Sequence, residues 1–328
     1  MNEGEFTFLR EFLHQRSGLS LTVEKRYLVD SRLASVCRIN ALPNMSVLVQ
    51  KIRAGDQALA VAVIEAMTTN ETLFFRDTTP FKHFRELILP AMLKARAAER
   101  SLRIWCAAAS SGQEPYSLAM MLDEMGHELS GWRIEITATD ISNDILAKAR
   151  AGVYSQFEVQ RGLPIQSLLK HFTQDGDRWH LNERLKRMVT FKQHNLVRPE
   201  GHMGTYDVIF CRNVLIYFDV PTKSKVLGFL ARHLRQDGFL LLGAAETVIG
   251  VTDAYSVDRD HRGVYRPVGA VQPVLQPVSG RADIRPTDVR PTESGPAMHR
   301  PAFPDRPAAA PALSLVGSDS LTRKQLRV

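Results

Sequence analysis

A chain of 328 residues with 44% hydrophobic content can hold two ordinary domains, or one large domain with extensions. No apolar run approaches the ~20 residues of a membrane span, the acidic start M-N-E-G-E-F-T-F lacks the layout of a signal peptide, and three scattered cysteines (Cys37, Cys106, Cys211) show no metal-ligand spacing, so a reducing cytoplasm is expected. The net charge of +7 is diffuse: from Pro267 onward eight Lys/Arg face five Asp/Glu, a surplus of three, and no basic block marks a nucleic-acid partner, which leaves a hint of an acidic one.

Up to Met67 the chain reads as short helices. F-T-F-L-R-E-F-L-H-Q-R and Y-L-V-D-S-R-L-A-S-V-C carry apolar residues at helical spacing, which predicts a small all-helical domain over 1–67. A connecting segment over 68–101 opens on T-T-N-E-T-L-F-F-R-D. A plain connector would be Gly, Pro, Asn and Ser. Thr68 with Glu71 fits a capping box, and Phe74 and Phe75 fit a core, but Asn70, Thr72 and Arg76 stay unexplained. The helical stretch P-F-K-H-F-R-E-L-I-L-P-A-M-L-K then puts Phe81, Phe84, Leu87, Ile88 and Met92 on one stripe, with Pro90 expected to kink or end it.

From Leu102 strands alternate with helices. L-R-I-W-C-A-A-A, W-R-I-E-I-T-A-T-D, Y-D-V-I-F-C-R and F-L-L-L-G-A read as strands, and P-Y-S-L-A-M-M-L-D-E-M, S-N-D-I-L-A-K-A-R and K-V-L-G-F-L-A-R-H-L as helices. This predicts an α/β, Rossmann-like domain over 102–267 with a parallel sheet. F-T-Q-D-G-D-R-W-H-L-N followed by M-V-T-F-K-Q-H-N-L reads as a hairpin with a D-G turn, an antiparallel insert over about 170–196. G-V-Y-R-P-V closes the domain as a last strand. The remainder, 268–328, is Pro-rich with Phe303 as its one aromatic residue, which predicts a disordered tail.

In a doubly wound sheet, ligands bind beyond the carboxyl ends of the strands. The first strand ends in Ala107-Ala108-Ala109-Ser110-Ser111-Gly112, small residues that allow close backbone approach, and a helix start follows with free N–H groups, Pro115 in its first turn and Glu114 beside it. Glu114 also suits the helix dipole without any ligand. The second strand ends in Asp140, placed to accept ribose hydroxyls or simply to cap the next helix. The third runs into Arg212-Asn213 and on to Tyr217. Neither G-x-G-x-x-G nor G-x-x-x-x-G-K-[ST] occurs, so dinucleotide and nucleoside-triphosphate ligands lose their main support. A ribose acceptor, a close-approach turn and a carboxylate without a phosphate loop fit an adenosine ligand such as S-adenosylmethionine.

The blocks T-T-N-E-T-L-F-F-R-D, A-A-A-S-S-G-Q-E-P-Y-S-L-A-M, A-T-D-I-S and F-C-R-N-V-L-I-Y-F-D, in this order, resemble the chemotaxis receptor methyltransferases, the CheR family, over roughly Phe6 to Pro267. The resemblance implies S-adenosylmethionine-dependent esterification of glutamate side chains on the cytoplasmic helices of methyl-accepting chemoreceptors, with S-adenosylhomocysteine as product and no metal. It places Asn70, Thr72, Arg76, Glu114, Asp140, Asn195, Leu196, Arg212 and Asn213 on the cofactor, Arg76 and Tyr217 at the chemistry, and Arg32 and Arg38 on the receptor. It implies no nucleic acid, no membrane insertion and a monomer. Departures are Ser35 where arginine is common, Cys106 where serine is common, Ala244-Ala245 in the G-A-A-E block, and the tail. Methylation of another protein or a small molecule on the same fold, or a catalytically silent cofactor-binding module, are the competing readings.

Beyond Pro267 no periodic apolar pattern occurs and prolines interrupt any helix. Ending the chain near Gly269 is expected to leave the unfolding midpoint and the methylation of an isolated receptor fragment unchanged. Aggregation of the truncated chain, or loss of cofactor binding, would show that the tail belongs to the fold.

Overall fold

The computed structural model describes residues 1–201 and 203–269, so all but the first two residues of the tail expected over 268–328 lie outside the described residues. Four helices form the front: α1 (Glu3–Ser17), α2 (Arg26–Ile39), α3 (Met45–Arg53) and α4 (Gln57–Met67). Three start on a polar side chain, Asn2, Asn44 or Asp56, that accepts a backbone N–H of the first turn. Their apolar stripes meet in a separate core in which Leu9, Leu13, Val29, Leu33, Leu48 and Val63 are fully buried.

No helix begins at Thr68, so the capping box expected of Thr68 and Glu71 does not form. Thr68 ends α4, its hydroxyl donating to the Glu65 carbonyl at 2.7 Å, while the Glu71 carboxylate pairs with Arg161 at 3.2 Å. Left-handed backbone at Phe75, Asp77 and Thr78 keeps the segment irregular until α5 (Thr79–His83). A π-helical turn over Phe84–Ile88 follows, then α6 (Leu89–Ala95). Pro90 cannot donate to the turn before it, and the helix absorbs the missing bond by widening, with the Leu89 N–H reaching the Phe84 carbonyl. The expected stripe is buried throughout, and Phe81, Phe84, Ile88 and Met92 pack into the core of the α/β domain, not that of the front helices.

The α/β part runs β1 (Ser101–Ala107), α7 (Gln113–Glu124), β2 (Arg133–Asp140), α8 (Asn143–Ala151), β3 (Val153–Ser155), α9 (Gln156–Gln160), α10 (Ile165–His171), β4 (Phe172–Asp175), β5 (Arg178–Leu181), α11 (Glu183–Lys186), β6 (Val189–Gln193), β7 (Tyr206–Cys211), α12 (Val220–His233), β8 (Leu234–Leu242), β9 (Tyr255–Val257) and β10 (Val264–Pro267). The main sheet has the order β6-β2-β1-β7-β8-β10-β9, parallel from β6 to β8 and antiparallel at β10 and β9. Alternation sorts its side chains: Leu102, Ile104 and Cys106 of β1 face one buried layer with α7 and the connecting helices, and Trp105 and Ala107 face the other with α12. Among the described residues no helix is long and apolar enough to cross a membrane.

The insert differs from expectation. Phe172–Leu181 is the hairpin, turning through Gly176 and Asp177, but M-V-T-F-K-Q supplies β6, a parallel partner of β2 in the main sheet. The small sheet takes its third strand from β3, in the order β3-β5-β4. A lone hairpin is marginal in water, and Val189 packs into the main core, with Phe191 partly buried against it.

The connecting helices are pinned below the sheet by Arg96, whose guanidinium reaches Asp207 at 2.7 Å and Asp237 at 2.5 and 2.7 Å. Arg96→Met leaves Asp207 buried with the Arg103 backbone N–H at 2.8 Å and, for a cation, a longer contact to Arg235 at 3.5 Å. The expected loss is about 3 kcal/mol in chemical denaturation, with cofactor affinity retained because the pair lies at the opposite end of β7 from the site.

Candidate active site

The register aligns the strand ends into one edge. Ala107 pairs with Cys211, Asp140 with Gln193, and Cys211 with Leu242. The chain moves outward from β1 through β2 to β6, then returns to start β7 on the other flank of β1. That reversal opens a crevice above β1 and β7, where open α/β sheets bind ligands. A cleft of about 1040 Å³, its open mouth included, lies there.

Its floor is the loop after β1. Ala108, Ser110 and Gly112 all have positive φ, and α7 starts on Gly112 without a side-chain cap. The backbone is therefore bare where a ligand would sit, and residues larger than these would fill it. Asp140 is buried at the end of β2. Its carboxylate accepts the Ser110 N–H at 2.9 Å and the Ser142 N–H at 3.1 Å, which fixes the loop to the strand. Burial pushes its pKa up, and the backbone N–H groups of Ser142, Ser110 and Ile141 oppose the shift.

Glu114 and Arg212 meet across the crevice. The Arg212 guanidinium donates to Glu114 at 2.7 Å, to the Arg76 carbonyl at 2.7 Å and to Asp77 at 2.8 Å. Burial raises the Glu114 pKa, and Arg212 pulls it back, first by charge and then by hydrogen bonding. The Arg212 Nε, by contrast, is buried with no partner among the described residues.

The segment 68–78 roofs the cleft. Ser110 Oγ donates to the Asn70 carbonyl at 2.9 Å, and the Phe75 N–H donates to Ser117 Oγ at 3.0 Å. Phe74 is fully buried between Tyr154 and Phe172, at 5.1 and 5.7 Å between ring centroids. Gly162 makes room for it, since a Cβ there would stand 2.1 Å from the Phe74 carbonyl oxygen. The Arg76 side chain donates to the Glu71 carbonyl at 2.8 Å and remains at the cleft wall.

Asn70, Thr72, Arg76, Glu114, Asp140, Asn195, Leu196, Arg212, Asn213 and Tyr217 all line this cleft. Not all present free side chains to it. The Asn195 amide donates to the Arg16 carbonyl of α1 at 2.7 Å while its oxygen accepts the Val197 N–H, so its side chain ties the front helices to the loop after β6. Arg32 and Arg38 do not line the cleft. Arg32 donates to the Met67 and Thr68 carbonyls at 2.9 and 3.0 Å, bracing the roof where it leaves α4, and Arg38 is exposed. Sequence reasoning passed over the roles of Asp77, Ser117 and Glu65, whose partners are distant in sequence. Glu65 of α4 accepts the Asn143 N–H at the start of α8 at 2.8 Å, a second tie between front and sheet.

The residues present suit a cationic adenosine ligand. Glu114 and Asp140 put two buried carboxylates in the cleft, within a frame of small residues and apolar walls. A sulfonium and an ammonium would meet acidic groups there, and a ribose diol would meet Asp140. Residues 70–263 match the CheR methyltransferase SAM binding domain, and residues 4–68 the CheR methyltransferase all-alpha domain. Fold and site thus define an S-adenosylmethionine-binding methyltransferase with an all-helical front domain.

The chain is 41% identical over 268 residues to a chemotaxis protein methyltransferase of Vibrio parahaemolyticus, covering 80% of this chain and 96% of that one. It is 39% identical over 266 residues to chemotaxis protein methyltransferase 1 of Pseudomonas aeruginosa, covering 79% and 96%. A chemotaxis protein methyltransferase of Borreliella burgdorferi is 34% identical over 256 residues, covering 76% and 90%. The chain belongs to the CheR family of chemotaxis protein methyltransferases.

Asp140→Ala is expected to weaken S-adenosylmethionine binding by about 1.5–3 kcal/mol, since a charged acceptor is lost from a buried site. Calorimetric titration of the folded variant checks this. An unchanged dissociation constant would remove Asp140 from the ligand.

Proposed function

We propose that this chain methylates glutamate side chains on the cytoplasmic helices of methyl-accepting chemoreceptors, acting in the cytoplasm as a monomer and releasing S-adenosylhomocysteine. The observation that carries the reading is the convergence of all ten cleft residues expected from the family pattern, contributed by the roof, three strand ends and the loop after β6, in a chain of the chemotaxis family. When bound, S-adenosylmethionine supplies an electrophilic methyl group that a carboxylate oxygen can accept.

The substrate needs little activation. A glutamate side chain has a pKa near ~4.3 and is ionised at neutral pH, so no general base is required of the chain. Its contribution is alignment and exclusion of water, worth up to about 7–11 kcal/mol for well-oriented pairs. Asp140 holds the ribose, Glu114 and Arg212 hold the amino-acid end, and Asn70, Thr72, Leu196 and Asn213 close the walls. Arg76, at the cleft wall with its guanidinium donating to the Glu71 backbone carbonyl, orients the incoming carboxylate. Tyr217, which also lines the cleft, polarises the reacting centre. Arg38 on the exposed face of α2 meets the acidic receptor helix, with Arg32 coupling that helix to the roof.

Incubation with labelled cofactor and a panel of receptor cytoplasmic fragments tests the reading. Base-labile label should enter fragments that keep their methylation-site glutamates and not those carrying glutamine there. Label entering only small molecules, or no acceptor at all, would overturn it. Tyr217→Phe should keep near-normal cofactor affinity and lower turnover by roughly tenfold, the equivalent of about 1.4 kcal/mol in the barrier. Equal turnover at saturating cofactor and receptor would make Tyr217 structural.

A further inference from the structure

The wall of the cleft formed by residues 213–217 follows directly on β7 yet has no strand or helix to hold it. Asn213 has φ 59, a left-handed conformation that asparagine tolerates better than most residues. A short 3₁₀ turn over Leu215–Tyr217 follows. Three residues of this wall, Asn213, Val214 and Tyr217, line the cleft. The backbone donors of residues 213–216 converge on one side chain from a distant loop, that of Glu246.

The buried Glu246 carboxylate accepts five backbone N–H groups. One oxygen accepts Asn213 at 2.8 Å and Gly243 at 2.7 Å. The other accepts Val214 at 2.9 Å, Leu215 at 2.7 Å and Ile216 at 3.4 Å. Glu246 is itself anchored, its N–H donating to the Gly243 carbonyl at 3.0 Å and its own carbonyl accepting the Tyr265 hydroxyl at 3.5 Å. Gly243 is needed for the fit: a Cβ there would lie 2.7 Å from the Glu246 carboxylate and 3.0 Å from the Asn213 backbone and amide nitrogens. From the other side, the Ser20 N–H donates to the Tyr217 carbonyl at 2.9 Å.

We propose that Glu246 is a positioning residue for methyl transfer: by gathering the N–H groups of 213–216 it sets where Asn213 and Tyr217 stand in the cleft. The proposal rests on the function inferred above insofar as Tyr217 serves the reaction. A carboxylate suits this task because both oxygens only accept. An amide of the same shape would turn its NH₂ toward either two or three of the same donors, leaving them unpaired in a buried site.

Hydrogen exchange, cofactor titration and turnover on Glu246→Gln test it. In the wild-type chain the amides of 213–216 should be protected well beyond those of the exposed loops. In the variant they should exchange about tenfold faster or more, while β1 and β2 keep their protection. The cofactor dissociation constant should rise by no more than about fivefold and turnover should fall by about tenfold or more. Adding Tyr217→Phe should then cost less than about twofold further, because residues acting as a unit are not additive. Gly243→Ala, which crowds the carboxylate without removing it, should give the same pattern and serves if Glu246→Gln does not fold. Unprotected wild-type amides, unchanged exchange in a folded variant, or losses from Glu246→Gln and Tyr217→Phe that multiply fully would each overturn the proposal. If the wild-type chain labels no receptor fragment, the function reading fails by itself, and exchange at 213–216 with cofactor affinity still decides the role of Glu246.

Discussion

The site depends on Arg212. One buried guanidinium at the end of β7 holds the carboxylate of α7, a carbonyl and a carboxylate of the roof, and lies 5.5 Å from the centre of the Phe81 ring. Sheet, first helix and connecting segment therefore share a single cation. Arginine suits this place because its planar fork serves several acceptors at once and it stays charged when buried. Removing one partner from such a group is far more costly than its net contribution to stability suggests, since buried charges are left uncompensated. The cleft is thus built around an ion-pair network among the chain's own residues.

Backbone conformations that side-chain-bearing residues seldom adopt cluster around that network. Ala108 and Ser110 in the floor, Phe75, Asp77 and Thr78 in the roof, and Asn213 in the wall all have positive φ. Each such position costs on the order of 1–3 kcal/mol and persists only where its surroundings over-determine it. Here the surroundings are visible. Asp140 grips the Ser110 N–H, Ser117 grips the Phe75 N–H, and Glu246 grips the Asn213 N–H. Three acceptors hold three strained turns, and all three turns border the cleft.

The same geometry divides the charges. Carboxylates sit in the floor of the cleft, where they suit a ligand bearing cationic groups, while Arg38 sits on the exposed face of α2 at the front. Arg32 on that helix braces the start of the roof through the Met67 and Thr68 carbonyls. α2 and the start of the roof are therefore joined through that side chain.

How much was legible in sequence follows from the range of each interaction. Helical and strand periodicities, the small-residue turn at 107–112, the acidic strand end at Asp140 and the polar connector are local patterns, and they marked the α/β class and the place of the cleft, while residues such as Asn195 and Leu196 entered only through the family resemblance. Pro90 announced a disturbed helix, because a missing N–H is a property of one residue. What pairs across the chain was not legible. V-T-F-K-Q reads equally well as a hairpin arm or as a parallel strand, and the vacant edge of β2 decided for the latter. Thr68 and Glu71 have the spacing of a capping box, but the helix they would cap is forbidden by the turns that Ser117 and Arg212 hold in place. The single Glu246 carries no local signal, since its five partners include four that lie at least thirty residues away. Sequence by itself determined which elements form and which residues have the chemistry for the site. Only the tertiary structure decided which side chains remain free to face a ligand and which are spent holding the backbone, because that division is made by hydrogen bonds between segments that meet only in the fold.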